Sequence, residues 1–152
     1  MNKSKIKGIR IVKLNQIFDS KGSVLHMIKS SSPEFKNFGE CYVSEINYNS
    51  IKGWKLHSKQ TQNISVPSGK IKMVLYDSRE DSLSFNQLIE LNLGRPDDYF
   101  RVTIPPGVIY GFKGLSSPNA LLVNCTDIEH DPNESVTLSI DDNKVPFLWD
   151  KE

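Results

Sequence analysis

The chain has 152 residues, of which 38% are hydrophobic and 24% charged, and its formal net charge at pH 7 is +1. This size and composition predict one soluble globular domain over residues 1–152, with a core at about 9–149. A charge so close to zero argues against a nucleic-acid or membrane-surface binder, because such proteins carry a basic excess. No apolar run approaches the roughly 20 residues that span a bilayer. The Lys-rich start, MNKSKIKG, is not followed by a signal-type apolar segment, so we expect a cytoplasmic protein.

Short apolar segments separated by turn signals follow one another along the whole chain. Turn signals stand at 19–22 (DSKG), 67–69 (PSG) and 94–97 (GRPD). This spacing predicts an all-β sandwich or barrel, with one short helical candidate near the C-terminus. The predicted strands are residues 9–14, 24–28, 40–47, 51–62, 63–66, 71–76, 88–93, 100–104, 109–112 and 120–125.

The two cysteines, Cys41 and Cys125, lie in apolar strand-like segments. In a chain without a secretion signal, such cysteines are typically buried free thiols. We therefore expect no disulfide.

The most informative stretch is residues 52–69, KGWKLHSKQTQNISVPSG. It is predicted to be extended, so Lys55 and His57 point to the same face. An imidazole and an ammonium on the inner wall of a sheet are costly unless they are paired or functional. This pair is the first indication of a site.

The spacing of this stretch resembles the first metal motif of the cupin superfamily, with Lys55, His57 and Gln62 at the ligand positions. Residues 104–112, IPPGVIYGF, resemble the second cupin motif, with Tyr110 where the last metal ligand would stand. Metals held by nitrogen and carboxylate ligands need two or three such groups, and these residues do not supply them. The resemblance therefore implies a cupin jelly roll, the double-stranded β-helix, with neither metal nor cofactor.

Seven short patterns in order, spanning about 9–149, resemble the dTDP-4-dehydrorhamnose 3,5-epimerase family of nucleotide-sugar enzymes. They are DSKG at 19–22, KG at 52–53, Gly69, DSR at 77–79 with Ser82 and Phe85, IPPG at 104–107 with GF at 111–112, NCTD at 124–127, and Asp142 ahead of Trp149. The resemblance implies a homodimer whose barrel holds a nucleoside-diphosphate 4-keto-6-deoxy sugar. It also implies a histidine base assisted by an aspartate, and a tyrosine that returns a proton from the opposite face.

The chain departs from this family at the expected chemical groups. Lys55 occupies the position of the base, His57 lies two residues further on, and Val123 stands where the family has its tyrosine. Lys21 and Lys52 replace arginines that would hold the diphosphate, which keeps the charge but loses the bidentate fork.

The candidate catalytic residues are His57 or Lys55 as base, Asp142 as the orienting carboxylate and Tyr110 as the acid. His26 and His130 are predicted to be surface or turn residues. The candidate substrate-binding residues are Lys21, Lys52, Gln60, Gln62, Asn47 and Arg79.

Three functions remain open from the sequence. The first is an epimerase or isomerase that abstracts a proton next to the ketone of a 4-keto-6-deoxy sugar nucleotide, in bacterial surface polysaccharide or deoxysugar biosynthesis. The second is a sugar-nucleotide-binding cupin that has lost catalysis. The third is a sugar 3,4-ketoisomerase, although that group typically carries an HxH strand and this chain has only His57 of the two.

Overall fold

The structure, a computed structural model, describes residues 4–150; the first three residues of the Lys-rich start and the last two of the chain lie outside this range. Residues 4–150 form twelve β-strands and no helix, so the short C-terminal helix predicted above is wrong. No helix in the described range is long and apolar enough to cross a membrane. The strands are β1 (Arg10–Lys13), β2 (Gln16–Asp19), β3 (Gly22–Leu25), β4 (Glu40–Asn47), β5 (Ile51–His57), β6 (Gln62–Ser68), β7 (Lys70–Asp77), β8 (Leu88–Gly94), β9 (Phe100–Ile104), β10 (Val108–Gly114), β11 (Asn119–Thr126) and β12 (Ser135–Thr137).

Two five-stranded antiparallel sheets make up the body of the fold. The first sheet has the order β1-β9-β6-β11-β4 and the second has the order β12-β5-β10-β7-β8, while β2 and β3 form a separate hairpin. Most consecutive strands change sheet, as between β5 and β6 or β9 and β10, whereas β7 and β8 pair in the same sheet. This architecture confirms the all-β cupin jelly roll predicted from the sequence.

The predicted strand at 51–62 divides into two strands in different sheets. β5 ends at His57 and β6 begins at Gln62, with a corner at 58–61 between them. Gln62 therefore lies in the sheet opposite His57, although the two residues are close in sequence. Strands β4 and β9 have the bounds that alternation predicts, whereas β2 and β12 were not predicted.

Apolar side chains fill the space between the sheets, because alternate residues of each strand point to the same face. This inner core includes Ile46, Ile64, Met73, Val102 and Leu122, all of which are buried.

A second apolar cluster lies on the outer face of the second sheet, beneath the C-terminal segment. Trp54 and Ile109 point outward there and are covered by Val145 and Trp149. The rings of Trp54 and Trp149 are 5.2 Å apart, and Trp54 Nε1 donates a hydrogen bond to the carbonyl of Ile140 at 3.2 Å. The C-terminal segment thus forms an extended cover, and packing of these large side chains replaces the helix expected there.

Cys41 and Cys125 are both free thiols, but the prediction that both are buried is wrong. Cys41 is exposed and Cys125 half-buried, because β4 is the edge strand of its sheet and its outer face is uncovered. The two residues are direct partners across β4 and β11, and their sulfur atoms lie 2.9 Å apart.

Candidate functional site

A cavity of about 340 Å³ opens between the two sheets. The first sheet contributes Tyr42 from β4, Ile64 from β6, and Asn124 with Leu122 from β11. The second sheet contributes side chains from β5, β10 and β12. These are Lys52, Lys55, Tyr110, Phe112 and Thr137.

On the second sheet, Tyr110 connects the cavity to a buried histidine and carboxylate. Nε2 of His57 lies 3.2 Å from the hydroxyl of Tyr110, and Nδ1 of His57 lies 2.5 Å from Oε1 of Glu134. Because a carboxylate only accepts, Nδ1 carries the hydrogen and Nε2 of the neutral ring accepts from the phenol. A proton can therefore pass from Tyr110 toward Glu134 through His57.

Glu134 is held ionised at the buried end of this chain. Burial raises the pKa of Glu134, but hydrogen bonds from His57 and from the backbone N–H groups of Lys59 and Gln60 outweigh it, so the pKa falls below its usual value. Burial, and then the neighbouring acidic groups Tyr42 and Glu134, raise the pKa of Tyr110 well above its usual range. Tyr110 is therefore a neutral hydroxyl donor at neutral pH.

Two lysines point into the cavity from β5, although they are three residues apart. Lys55 is the direct cross-strand partner of Tyr110, and a register shift before Phe112 makes Lys52 the partner of Phe112. Such a bulge adds one residue and so returns both lysines to one face. Nζ of Lys55 donates to the hydroxyl of Thr137 at 3.0 Å, and Nζ of Lys52 donates to the carbonyl of Glu45 at 2.9 Å.

Across the cavity, Asn124 of β11 holds the phenol of Tyr42. Nδ2 of Asn124 donates to the hydroxyl oxygen of Tyr42 at 2.9 Å and to Oε1 of Gln62 at 2.7 Å. Gln62 in turn donates to Gln60, and Gln60 donates to the carbonyl of Ile128. Gln60 and Gln62, predicted to bind substrate, are thus buried members of an amide chain that reaches the cavity through Asn124.

The carboxylate on His57 is Glu134 and not Asp142, which the sequence suggested. Asp142 lies in a turn of the C-terminal segment and accepts a hydrogen bond from the backbone of Lys144. Glu134 was missed because it stands in the polar stretch HDPNE at 130–134, which has the composition of a turn.

The remaining predicted binding residues lie away from the cavity. Lys21 is exposed at the turn of the β2–β3 hairpin, and Asn47 is exposed at the end of β4. Arg79 is bound to the fully buried carboxylate of Asp77, through contacts of 2.7 and 2.8 Å, and to the carbonyl of Lys7. Of the other two histidines, His130 is exposed and His26 half-buried, and neither lines the cavity.

Over residues 4–150, no group of three or more His, Cys, Asp or Glu side chains is placed to hold a metal ion. What the cavity does offer is a set of proton donors and acceptors on two facing walls, with ammonium groups beside them. This arrangement suits proton transfer to and from a bound carbon acid, because it combines acid–base groups with positive charge that stabilises an anion.

A protein-family model described as dTDP-4-dehydrorhamnose 3,5-epimerase matches residues 3–152. Spore coat polysaccharide biosynthesis protein SpsL of Bacillus subtilis (strain 168) is 27% identical over 149 residues, which is 97% of this chain and 98% of that protein. The probable low-salt glycan biosynthesis epimerase Agl13 of Haloferax volcanii is 26% identical over 131 residues, covering 85% of this chain and 80% of its own.

Among solved structures, a dTDP sugar isomerase from Desulfovibrio desulfuricans G20 superposes with a TM-score of 0.93 at 44% identity, covering 95% of this chain and 92% of that one. A Legionella pneumophila dTDP-6-deoxy-D-glucose-3,5-epimerase, in complex with dTDP-4-keto-L-rhamnose, gives a TM-score of 0.84 at 20% identity, with coverages of 96% and 80%. At that identity the second match supports the fold alone.

Proposed function

Because this chain belongs to the dTDP-4-dehydrorhamnose 3,5-epimerase family, we propose that it transfers protons at a carbon next to the ketone of a 4-keto-6-deoxy sugar nucleotide. The names of SpsL and Agl13 support a place in the synthesis of surface polysaccharide or glycan. The proposed partner is a nucleoside-diphosphate sugar, bound with its sugar in the cavity between the sheets.

The observation that carries this proposal is the proton path from Tyr110 through His57 to Glu134. His57 does not line the cavity and its Nε2 already faces Tyr110, so it acts through the phenol. In the proposed step, the oxygen of Tyr110 takes the proton from the sugar carbon while its own hydroxyl proton passes to Nε2 of His57. The electron pair of the broken C–H bond becomes the enolate, and ionised Glu134 stabilises the imidazolium.

Lys55 is proposed to stabilise the enolate oxygen as an ammonium. It stands beside Tyr110 in register on β5 and β10, so both side chains reach the same part of the sugar. A fixed positive charge in a partly closed cavity is worth more than in water, because the effective dielectric constant is lower. The competing assignment, in which Lys55 is itself the base, differs in requiring a neutral amine.

The test is deuterium uptake from D2O into dTDP-4-keto-6-deoxyglucose, followed by NMR at the carbons on either side of the ketone. Wild type should incorporate label, and Tyr110→Phe and His57→Asn should each slow uptake by about a hundredfold or more. Lys55→Met should also slow it, whereas Lys55→Arg should recover much of the rate, because arginine keeps the charge but is not a base. Equal loss in both Lys55 variants would make Lys55 the base.

Two other outcomes would replace the proposal. Movement of the ketone from C4 to C3 would identify a sugar 3,4-ketoisomerase. Tight binding of dTDP, GDP or CDP sugars with no label uptake would identify a binding protein without catalysis.

A further inference from the structure

We propose that Tyr42 is the proton donor to the second face of the sugar, an inference that rests on the proposed function. Inversion requires a proton to leave from one face and return to the other, so donors must stand on both sides of the bound ring. Val123, at the position of the family's tyrosine, pairs with Val43, which is 60% exposed on the outer face. That position therefore does not reach the cavity.

Tyr42 lies on the wall opposite Tyr110. It belongs to β4 of the first sheet, whereas Tyr110 and Lys55 belong to β10 and β5 of the second, and all three line the same cavity. Tyr42 is the direct cross-strand partner of Asn124, and partners in register share a face of the sheet. Its side chain is thereby directed inward, next to the outward-facing Cys41 and Val43.

The amide chain behind Tyr42 determines the direction of its hydroxyl hydrogen. Oδ1 of Asn124 accepts from the backbone N–H of Asn63, which leaves its Nδ2 to donate. Nδ2 then gives one hydrogen to Gln62 and the other to the oxygen of Tyr42. At the far end, Gln60 must donate because its partner is the carbonyl of Ile128. Both ends are therefore anchored on backbone groups of fixed polarity, and no amide in the chain can reverse alone.

The consequence is that Tyr42 accepts from Asn124 and keeps its own hydrogen free for the cavity. Burial raises the pKa of Tyr42, the hydrogen bond from Asn124 lowers it, and the charge of Glu40 raises it further, so the phenol is protonated at neutral pH. The side chain is 40% exposed, so solvent can return the proton after each transfer. In the donation step a C–H bond forms at the enolate carbon as the O–H bond of Tyr42 breaks, and the phenolate regains a proton from water.

The experiment separates proton removal from inversion with Tyr42→Phe. In D2O with dTDP-4-keto-6-deoxyglucose, this variant should still take up label within a few-fold of the wild-type rate. Its inversion at the labelled carbon should be slower by about a hundredfold. Tyr48→Phe is the matched control, since Tyr48 is also exposed and lies six residues further along the chain but does not line the cavity.

The outcomes are distinct. Inversion by Tyr42→Phe at the wild-type rate would overturn this inference and leave the proposed function standing. Equal loss of label uptake and inversion would also overturn it, because Tyr42 would then serve both steps. Failure of the wild-type protein to take up label would remove the proposed function itself. Affinity for dTDP and the melting temperature of Tyr42→Phe, measured alongside, should stay near wild type, since only one hydroxyl is lost.

Discussion

Oε1 of Glu134 lies 2.5 Å from Nδ1 of His57, so a carboxylate 77 residues further along the chain fixes the tautomer of the imidazole. We expect Glu134→Gln to slow label uptake by about a hundredfold at pH 7, because the amide cannot stabilise an imidazolium. Because the pKa of Glu134 is lowered, the carboxylate stays ionised at more acidic pH than an ordinary glutamate, and its charge is lost only as pH falls through the lowered value. The contribution of Glu134 to the rate should therefore persist into mildly acidic solution.

The matched control for this change is Asp131→Asn, which removes an exposed carboxylate from the same loop. A pH–rate profile separates a chemical role from a structural one, since a merely structural loss lowers the rate equally at all pH values. An unchanged rate in Glu134→Gln would contradict the proton path through His57.

Lys52 is expected to contact the diphosphate, because it is the second cationic side chain on the cavity wall. Lys52→Gln should weaken dTDP binding and make the remaining affinity less sensitive to added salt, since a point charge on a flexible stem is readily screened. Isothermal titration at low and high salt measures both effects. Lys144→Gln, which removes an exposed lysine from the C-terminal segment, should change neither.

Asp77 is expected to be a structural carboxylate. It is fully buried and accepts hydrogen bonds from Arg79, Ser82 and Ser84, while Arg79 also binds the carbonyl of Lys7. Asp77→Asn leaves Arg79 without its counter-charge and should lower the free energy of unfolding by about 3 kcal/mol in urea denaturation. Asp81→Asn, at an exposed residue of the loop that follows β7, should cost little.

The ionisation of Asp77 should also make the free energy of unfolding depend on pH, in a direction that its lowered pKa determines. Burial alone would raise the pKa of Asp77, but the hydrogen bonds from Arg79 and the two serines hold it far below its usual value. Its stabilisation is therefore complete above the unfolded pKa of about 3.9 and is lost as pH falls below it. Wild type should lose more stability than Asp77→Asn between neutral and strongly acidic solution.

Cys41 and Cys125 should form an intrachain disulfide when the protein is treated with a disulfide oxidant such as oxidised glutathione. They are direct cross-strand partners, and Cys41 is open to solvent. Burial, and then the neighbouring Cys41, raise the pKa of Cys125 to about 12. Since the thiolate is the reactive form, the reaction should be slow near neutrality and faster at alkaline pH. Intact mass would detect the loss of two hydrogen atoms, and Cys41→Ser should abolish it.

A homodimer is expected from the family likeness and from two uncovered features. Strand β1 is the free edge of the first sheet, and the β2–β3 hairpin exposes Ile17, Phe18 and Val24. Light scattering should give twice the 17.2 kDa chain mass, and Phe18→Asp should reduce it. Leu83→Asp, at an exposed apolar residue of the loop between β7 and β8, is the control. A monomer mass at micromolar concentration would refute the prediction.

The strands could be predicted from local sequence, because the alternating apolar residues and the turn residues that indicate a strand lie within each segment. Strands β4 and β9 match their predicted bounds for this reason. The side chains that contact the site residues could not be predicted in this way, because they lie far away in the sequence. Glu134 reaches His57 only because β12 pairs with β5, and a three-residue strand has too few alternating positions to be recognised.

The second wall of the cavity could not be predicted for a related reason. From the sequence, Val123 stands where the family has its tyrosine, and Tyr110 is the only candidate acid in its place. Tyr42 is 81 positions earlier in the chain and faces the cavity because β11 lies beside β4, with Asn124 opposite Tyr42. Alternation along the strand indicates that residues 42, 44 and 46 share one face. Only the order of the strands in the sheet shows which cavity that face meets.

Strand β12 is short, lies at the edge of the second sheet, and stands beside two of the groups proposed to act there. Its Thr137 holds Lys55, and Glu134, the residue before the strand, holds His57. Edge segments with few ladder bonds open more readily than the sheets to which they attach. We therefore expect activity to be lost before the fold, because detachment of β12 would remove both contacts while the other strands of the two sheets stay paired. Warming should inactivate the protein reversibly before it melts.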